Sequence, residues 1–391
     1  MRIVDIRERS VAISRYTDPT IPSGGLTTSI VAVTTDAVRD GRPVIGYGFG
    51  SIGRFAQGGL IRERFAPRLL AAADGALADA SGTNLDPFRA GSLMMAGEKP
   101  GGHGERCVAV GTLDMALWDA AAKIAGLPLH RFLAGRLGRG DSVPDRVPVY
   151  AGGGYPYPAD DLARLAEEMR RLADLGYTRA KIKIGAAGLA QDLRRIEVAA
   201  AVLGDAGRLA VDAMNAYDGH AALAAAAALA PLGLWWFEDV CDPLDFSTQA
   251  AVAAAYPGPI AAGEALFSAA EARLLALQGG LRPDRDILLF DPVHCYGLPG
   301  TLQIIDVMVA AGWPRRAFWP HGGHLFALHV VAALGLGGAE VNPLSFRPFG
   351  GLGDGAMATD GFAGLPQAPG IGFEERAELA AIFRDLSETT R

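Results

Sequence analysis

From Val147 onward the chain is periodic. Eight short apolar runs alternate with alanine- and leucine-rich amphipathic stretches: Val147 to Tyr150, Arg179 to Ile184, Leu209 to Asp212, Trp235 to Glu238, Ile260 to Gly263, Ile287 to Phe290, Ala317 to Trp319 and Ala339 to Val341. Strands each followed by a helix run parallel to one another, and eight such units predict an α/β barrel of the (β/α)7β, TIM-like kind. An ionisable side chain stands at or just after the end of seven runs: Lys183, Asp212, Glu238, Glu264, Asp291, His321 and Glu340. The successive gaps are 29, 26, 26, 27, 30 and 19 residues, near the roughly 30 residues of one unit in a barrel of about 250. Each residue therefore takes the same place in its unit, the C-terminal mouth where barrels carry active sites.

The preceding residues follow a different grammar. Ile3 to Ser14, Thr27 to Thr35 and Pro43 to Phe49 read as strands, with Asp40-Gly41 as a hairpin signal. Tyr16 to Gly25 and Gly48 to Gly59 are rich in turn residues and read as loops. Residues 60 to 135 read as helical. In Val108 to Ile124 the residues Val110, Leu113, Ala116, Leu117 and Ala120 share a face, and Gly126-Leu127-Pro128 stops the helix. The expected organisation is an α+β unit over 1–135 with lid loops near 16–25 and 48–59. A catalytic barrel follows over 136–350, and a C-terminal segment, 351–391, returns to the first unit.

Bulk properties narrow the function. Hydrophobic residues make up 50% of the 391 and charged residues 20%, enough apolar content for a large core. The net charge is -7 and no basic stripe is interleaved with aromatics, so no nucleic-acid partner is expected. The three cysteines lack C-x-x-C spacing, which points to reduced thiols and a cytoplasmic setting. The N-terminus reads as too short and charged for a signal peptide, and no run is long enough for a membrane span. The expected partner is a small molecule.

The strand-end residues carry a specific chemistry. Asp212, Glu238 and Glu264 lie on consecutive units. Alone, each reads as an ordinary loop or capping carboxylate. Together, buried, they repel one another unless a cation offsets them, and an all-oxygen donor set with room for water and substrate suits Mg²⁺. In Lys181-Ile182-Lys183 the two lysines point to the same side of a strand. Two close ammonium groups should depress each other's pKa, and a lysine brought near 7 to 8 can act as a general base. Asp291 and His321 sit one unit apart, and an aspartate on one imidazole nitrogen fixes the tautomer, raises the pKa and leaves the other nitrogen to act. His324, His329 or a capping role for His321 are the alternatives at that segment. His103, His130, His220 and His294 have no partner legible in the sequence and read as structural or surface residues. Removing a proton beside a carboxylate builds up charge that a divalent metal and hydrogen-bond donors can stabilise. Glu340, if protonated, is a candidate donor to the second carboxylate oxygen.

At this point the residues resemble a known family. Val108-Ala109-Val110-Gly111-Thr112-Leu113-Asp114-Met115-Ala116-Leu117-Trp118-Asp119 is similar to the helix signature of the mandelate racemase branch of the enolase superfamily. Lys181-Ile182-Lys183, Asp212-Ala213-Met214-Asn215, Phe237-Glu238-Asp239 and Gly263-Glu264 resemble its base and metal motifs, in order. The resemblance implies an α+β capping domain, built from both termini, whose loops close over the barrel mouth. Within the branch, Gln57 to Arg62, Glu98 to Arg106, Asp242 to Asp245 and Pro320 to His324 resemble the D-tartrate dehydratase family. That likeness implies a lyase that converts tartrate to oxaloacetate. Lys183 would be the base and His321 the acid for the departing hydroxyl. Lys99 would be a cationic contact, and Asn215 and Glu340 would lie beside the substrate. A symmetric homo-oligomer is also implied. Two departures stand out: Ile52 falls where an asparagine-like residue is expected, and Asp239-Val240 where relatives place a proline. The first leaves the substrate open. Dehydration of another acid sugar, a 1,1-proton-transfer racemase and a non-catalytic sugar-acid binder remain the competing readings.

Overall fold

The computed structural model describes residues 1–140 and 143–388, so Asp141, Ser142 and the last three residues of the expected C-terminal segment lie outside the described residues. The N-terminal strands β1 (Ile3–Ala12), β2 (Thr27–Arg39) and β3 (Arg42–Phe49) form an antiparallel sheet in that order. β2 and β3 are joined at Asp40-Gly41, both with positive φ, 50° and 75°, the backbone that a type I′ hairpin requires.

Helix α1 (Glu105–Ala125) ends at Gly126 in the left-handed conformation, as the sequence predicts. Its burial exceeds a single apolar face, because every residue from Cys107 to Ala122 is buried. The helix is wedged between the sheet and the barrel, and its two aspartates reach to either side. Asp119 Oδ2 accepts the Tyr47 N–H at 2.9 Å, and Asp114 Oδ2 accepts the Leu298 N–H at 2.7 Å. Gly111 permits the close approach on the barrel side: a Cβ there would lie 1.8 Å from the Val293 carbonyl oxygen.

The barrel strands are β4 (Arg146–Gly152), β5 (Ala180–Lys183), β6 (Leu209–Asp212), β7 (Trp236–Glu238), β8 (Ile260–Ala262), β9 (Ile287–Leu288) and β10 (Ala339–Val341). They are hydrogen-bonded in parallel, in the order β10-β4-β5-β6-β7-β8-β9. In the run expected at Ala317 to Trp319, Ala317 ends a 3-10 turn and only Phe318 and Trp319 are extended, so no full strand forms. The stretch from Phe318 to His321 closes the ring: Trp319 N–H donates to Leu288 O at 2.8 Å, His321 N–H to Leu289 O at 3.1 Å, and Glu340 N–H to Pro320 O at 3.3 Å. Pro320 falls within this stretch and denies it a ladder donor. Tyr150, Trp236, Leu289, Trp319, Ala210 and Ala261 fill the barrel interior, so it is a packed core with its working surface at the mouth.

The chain after the barrel returns to the N-terminal sheet. Helix α2 (Ala377–Glu388) stacks Phe383 on Tyr47 with ring centroids 4.7 Å apart, and Phe373 meets Phe49 at 6.0 Å. Both termini therefore build the α+β capping domain. A buried pair, His130 and His329, ties this return to the barrel: His329 Nε2 donates to Ile371 O at 2.9 Å, and its Nδ1 accepts the His130 N–H at 3.1 Å. Among the described residues no helix is long and apolar enough to cross a membrane.

Candidate active site

The register of the parallel strands sets Lys183, Asp212 and Glu238 side by side at the ends of β5, β6 and β7. Glu264 follows two residues after β8. Oxygen atoms of Asp212, Glu238 and Glu264 lie within 4.8 Å of one another. Lys181 Nζ binds Glu238 Oε1 and stands 3.5 Å from Asp212 Oδ2 and 3.4 Å from Glu340 Oε1, while Lys183 Nζ binds Asp212 Oδ2. Trp236 Nε1 donates to the other Glu238 oxygen at 2.7 Å. Glu264 Oε2 is buried without a hydrogen-bond partner. A carboxylate oxygen without a hydrogen bond, grouped with two further acids, fits a hard divalent cation, and the all-oxygen set favours Mg²⁺. Asp239, which the sequence places in the Glu238 motif but not among the metal ligands, adds another buried oxygen without a hydrogen bond, Oδ2, just after β7.

The lysines depart from expectation in one respect. Burial and the neighbouring Lys181 both act to lower the Lys183 pKa, but Asp212 outweighs them and holds it above the ordinary lysine value. Burial likewise opposes the charge on Lys181, and Glu238 and Glu340 outweigh it. The second ammonium does lower the Lys183 pKa, but the Asp212 carboxylate raises it more. Glu340 also departs from expectation. Burial raises its pKa, but Lys181 and then His321 lower it more, so it stays ionised. It accepts the Gly322 N–H at 3.3 Å and serves as a counter-ion to Lys181, not as a protonated donor.

His321 Nδ1 lies 2.9 Å from Asp291 Oδ2, and His321 Nε2 lies 3.6 Å from Glu264 Oε2. Burial disfavours its cation, but Glu264 and the Asp291 hydrogen bond prevail and its pKa is raised to about 9. The expected direction is observed, with Glu264 as the larger favourable influence. Asp291 is fully buried and its Oδ1 accepts the Val293 N–H at 2.7 Å.

A cleft of about 250 Å³ opens over these groups, lined by Lys183, Asn215, Glu264, His294 and His321 from the barrel and by Arg15, Ile52 and Arg54 from the capping loops. Ile52 is buried there, beside Gly53 and Arg54. Asn215 has a left-handed φ of 59° and donates from Nδ2 to Cys241 O at 2.8 Å. Lys99 lies elsewhere: it is exposed and lines a separate hollow with Glu98, Arg106 and Tyr296. The Tyr16 to Gly25 loop is docked on the barrel, with Tyr16 donating to Pro156 O and Thr17 to Leu344 O, both at 2.6 Å.

Three cleft residues escaped the sequence reading. His294 reads from sequence as structural or surface, yet it is 2% exposed in the cleft wall, and both ring nitrogens lack a hydrogen-bond partner. Its place three residues after Asp291 was the available signal. Arg15 and Arg54 are half-buried, and neither forms an ion pair among the described residues. Arg54 instead stacks over Phe267 at 4.6 Å, and Arg15 over Tyr155 at 5.8 Å.

Comparison with known proteins gives this geometry a context. Residues 164–379 match the family described as enolase C-terminal domain-like. The chain is 28% identical to arabinonate dehydratase of Saccharolobus solfataricus over 284 residues, 71% of this chain and 72% of that one. It is 32% identical to L-talarate/galactarate dehydratase of Salmonella typhimurium over 243 residues, 62% of this chain and 57% of that one. The crystal structure of L-talarate dehydratase from Polaromonas sp. JS666, complexed with Mg and L-glucarate, superposes with a TM-score of 0.71 at 26% identity, covering 95% of this chain and 94% of that one. Enolase superfamily members bind Mg²⁺, and this Polaromonas structure carries it. With its family-wide match, its barrel and its strand-end acids, the chain belongs to the enolase superfamily, in the mandelate racemase and muconate lactonizing enzyme branch.

Proposed function

We propose that the protein is a magnesium-dependent dehydratase of a short sugar diacid, with D-tartrate, giving oxaloacetate, as the first candidate. The observation that carries this reading is the composition of the cleft. Lys183 and His321, the latter backed by Asp291, face it from the barrel, and two arginines without carboxylate partners among the described residues face it from the capping loops. One carboxylate of a diacid belongs at the acidic triad and the other at Arg15 and Arg54. The volume of about 250 Å³ is that of roughly eight water molecules, which suits a four- to six-carbon acid.

In this reading Lys183, in its neutral form, removes the proton beside the metal-side carboxylate. The C–H electrons form the new double bond, the β C–O bond breaks, and protonated His321 delivers a proton to the leaving hydroxyl, releasing water and an enol that becomes the keto acid. When bound by Asp212, Glu238 and Glu264, the divalent cation supplies positive charge to the substrate carboxylate and shares the Asp212 charge that otherwise holds Lys183 protonated. Acid-sugar dehydratases among the relatives support the reaction class. The tartrate assignment rests on the segments quoted above.

The test is a panel of mono- and dicarboxylic sugar acids with added Mg²⁺, scored for keto-acid formation. Turnover of short diacids above monoacids is expected. A panel that yields only epimerised or cyclised acid and no keto product would replace dehydration with a racemase or cycloisomerase reading.

A further inference from the structure

Behind the His321–Asp291 pair lies a hydrogen-bond chain that reaches out of the barrel into a capping loop. Ser51 is fully buried, and its Oγ lies 2.6 Å from Asp291 Oδ2 and 3.2 Å from His324 Nε2. His324 caps the helix Leu325–Leu334, and its Nδ1 accepts the Ala327 N–H at 3.3 Å. That bond fixes the protons in sequence. With Nδ1 an acceptor, neutral His324 carries its proton on Nε2 and donates it to Ser51 Oγ. Ser51 has one hydroxyl proton, which is then left for Asp291 Oδ2. His321 Nδ1 donates to the same oxygen at 2.9 Å, which leaves His321 Nε2 as the ring nitrogen facing the cleft.

The backbone marks Ser51 as retained for its hydroxyl. Its φ is 58°, a left-handed conformation that any residue with a Cβ disfavours and glycine adopts freely. Glycines stand at positions 50 and 53 of the same turn. The turn is held by Gly50 N–H to Ser29 O at 2.9 Å and Thr28 Oγ1 to Ser51 O at 3.1 Å, neither of which uses the Ser51 side chain. Gly322 leaves room for the chain, because a Cβ there would come within 2.6 Å of His324 Nε2 and 2.9 Å of Asp291 Oδ2.

We propose that Ser51 and His324 are positioning residues that extend the His321–Asp291 pair into a four-residue relay. Through it, the seating of the capping loop on the barrel fixes the orientation of Asp291 and hence of the His321 ring. The inference rests on the reading above that His321 acts on the substrate, and its test separates the two.

The decisive variants are Ser51→Gly, which relaxes the turn while removing only the hydroxymethyl group, and His324→Asn, which keeps a cap acceptor for Ala327. On an acid that the wild type dehydrates, each should lower kcat by about ten- to a hundredfold with KM little changed, while Lys183-dependent exchange of the α-proton with deuterated solvent persists. The double variant should be no worse than the poorer single, as expected of groups acting as a unit. Wild-type kcat in Ser51→Gly would overturn the proposal, as would a defect confined to KM. A readout independent of any substrate is the ¹⁵N signature of the imidazoles. His324 should be protonated on Nε2 in the wild type, and the Ser51→Gly change should shift the His321 Nδ1 signal. A His324 protonated on Nδ1 overturns the relay even if dehydration is confirmed. Correct tautomers with no turnover of any acid would uphold the relay and remove the functional reading instead.

Discussion

At the scale of single residues, the site is governed by which charges stand closest. Lys183 touches Asp212, and the second lysine is the weaker influence. Its basicity in turnover therefore depends on how the Asp212 charge is shared. Arg54 and Arg15 present the opposite case, cations in a cleft with no carboxylate partner among the described residues. Arg54 rests its guanidinium on Phe267 at 4.6 Å, an arrangement that leaves its N–H groups to a ligand. Arg54→Met should keep the apolar stem and lose the charge. For a diacid substrate KM should rise about ten- to a hundredfold, the range for a lost hydrogen bond to a charged group, with kcat within a few-fold. Steady-state kinetics on a diacid and a matched monoacid check this, and equal effects on both would place Arg54 outside the distal carboxylate site.

At the scale of elements, the capping helix and the C-terminal return hold the catalytic loops in place. Helix α1 meets the loop carrying Asp291 and His294 at Gly111, where an added methyl would collide with the Val293 carbonyl oxygen at 1.8 Å. Gly111→Ala should cost about 1–3 kcal/mol or more through overpacking, lowering Tm and kcat together. An unchanged Tm would mean that the contact relaxes freely. The His130–His329 contact gives the return a pH dependence. Burial, and then the neighbouring His130, push the His329 pKa down to about 3. The folded state keeps this ring neutral while an unfolded chain, titrating near 6.5, takes up a proton, so stability falls as pH drops from about 6.5 toward 3, by up to roughly 1.4 kcal/mol per pH unit. The Tm gap between wild type and His329→Gln should therefore be widest near pH 7 to 8 and narrow toward pH 5. A constant gap would contradict the assignment. Much of the architecture was legible in sequence, because barrel grammar is local: each apolar run, each following helix and the Asp40-Gly41 turn can be read from a few residues. The segment near Trp319 was readable as a run but not as a broken strand. His294, Ser51 and the arginines were not legible, because their importance comes from contacts between distant positions, such as Ser51 with Asp291, 240 residues apart, and with His324, 273 apart. The lysine pKa argument failed for the same reason, since the counter-charges sit on other strands.

At the scale of the whole molecule, two buried ammonium groups and a set of buried acids share one volume at the mouth of the barrel. Lys183 and Lys181 hold Asp212 ionised, while burial pushes the Glu238 pKa up to about 8, so without a metal the cluster can stay buried with Asp212 ion-paired and Glu238 protonated. Chelation should therefore abolish activity while leaving the fold intact by circular dichroism. Re-added Mg²⁺ should restore turnover and raise Tm, by the equivalent of about 2.7 kcal/mol at a hundred times Kd. Unfolding on chelation would show that the ammonium groups do not suffice. In the proposed reaction Lys183 is the base that opens it and His321 the acid that completes it. The most direct measurement is proton NMR of a substrate acid in deuterated buffer with Mg²⁺, comparing wild type, Lys183→Ala and His321→Asn. The proposed roles predict keto acid from the wild type, neither exchange nor product from Lys183→Ala, and slow α-deuterium incorporation without product from His321→Asn. Exchange that survives in Lys183→Ala and disappears in His321→Asn would contradict them and make His321 the base.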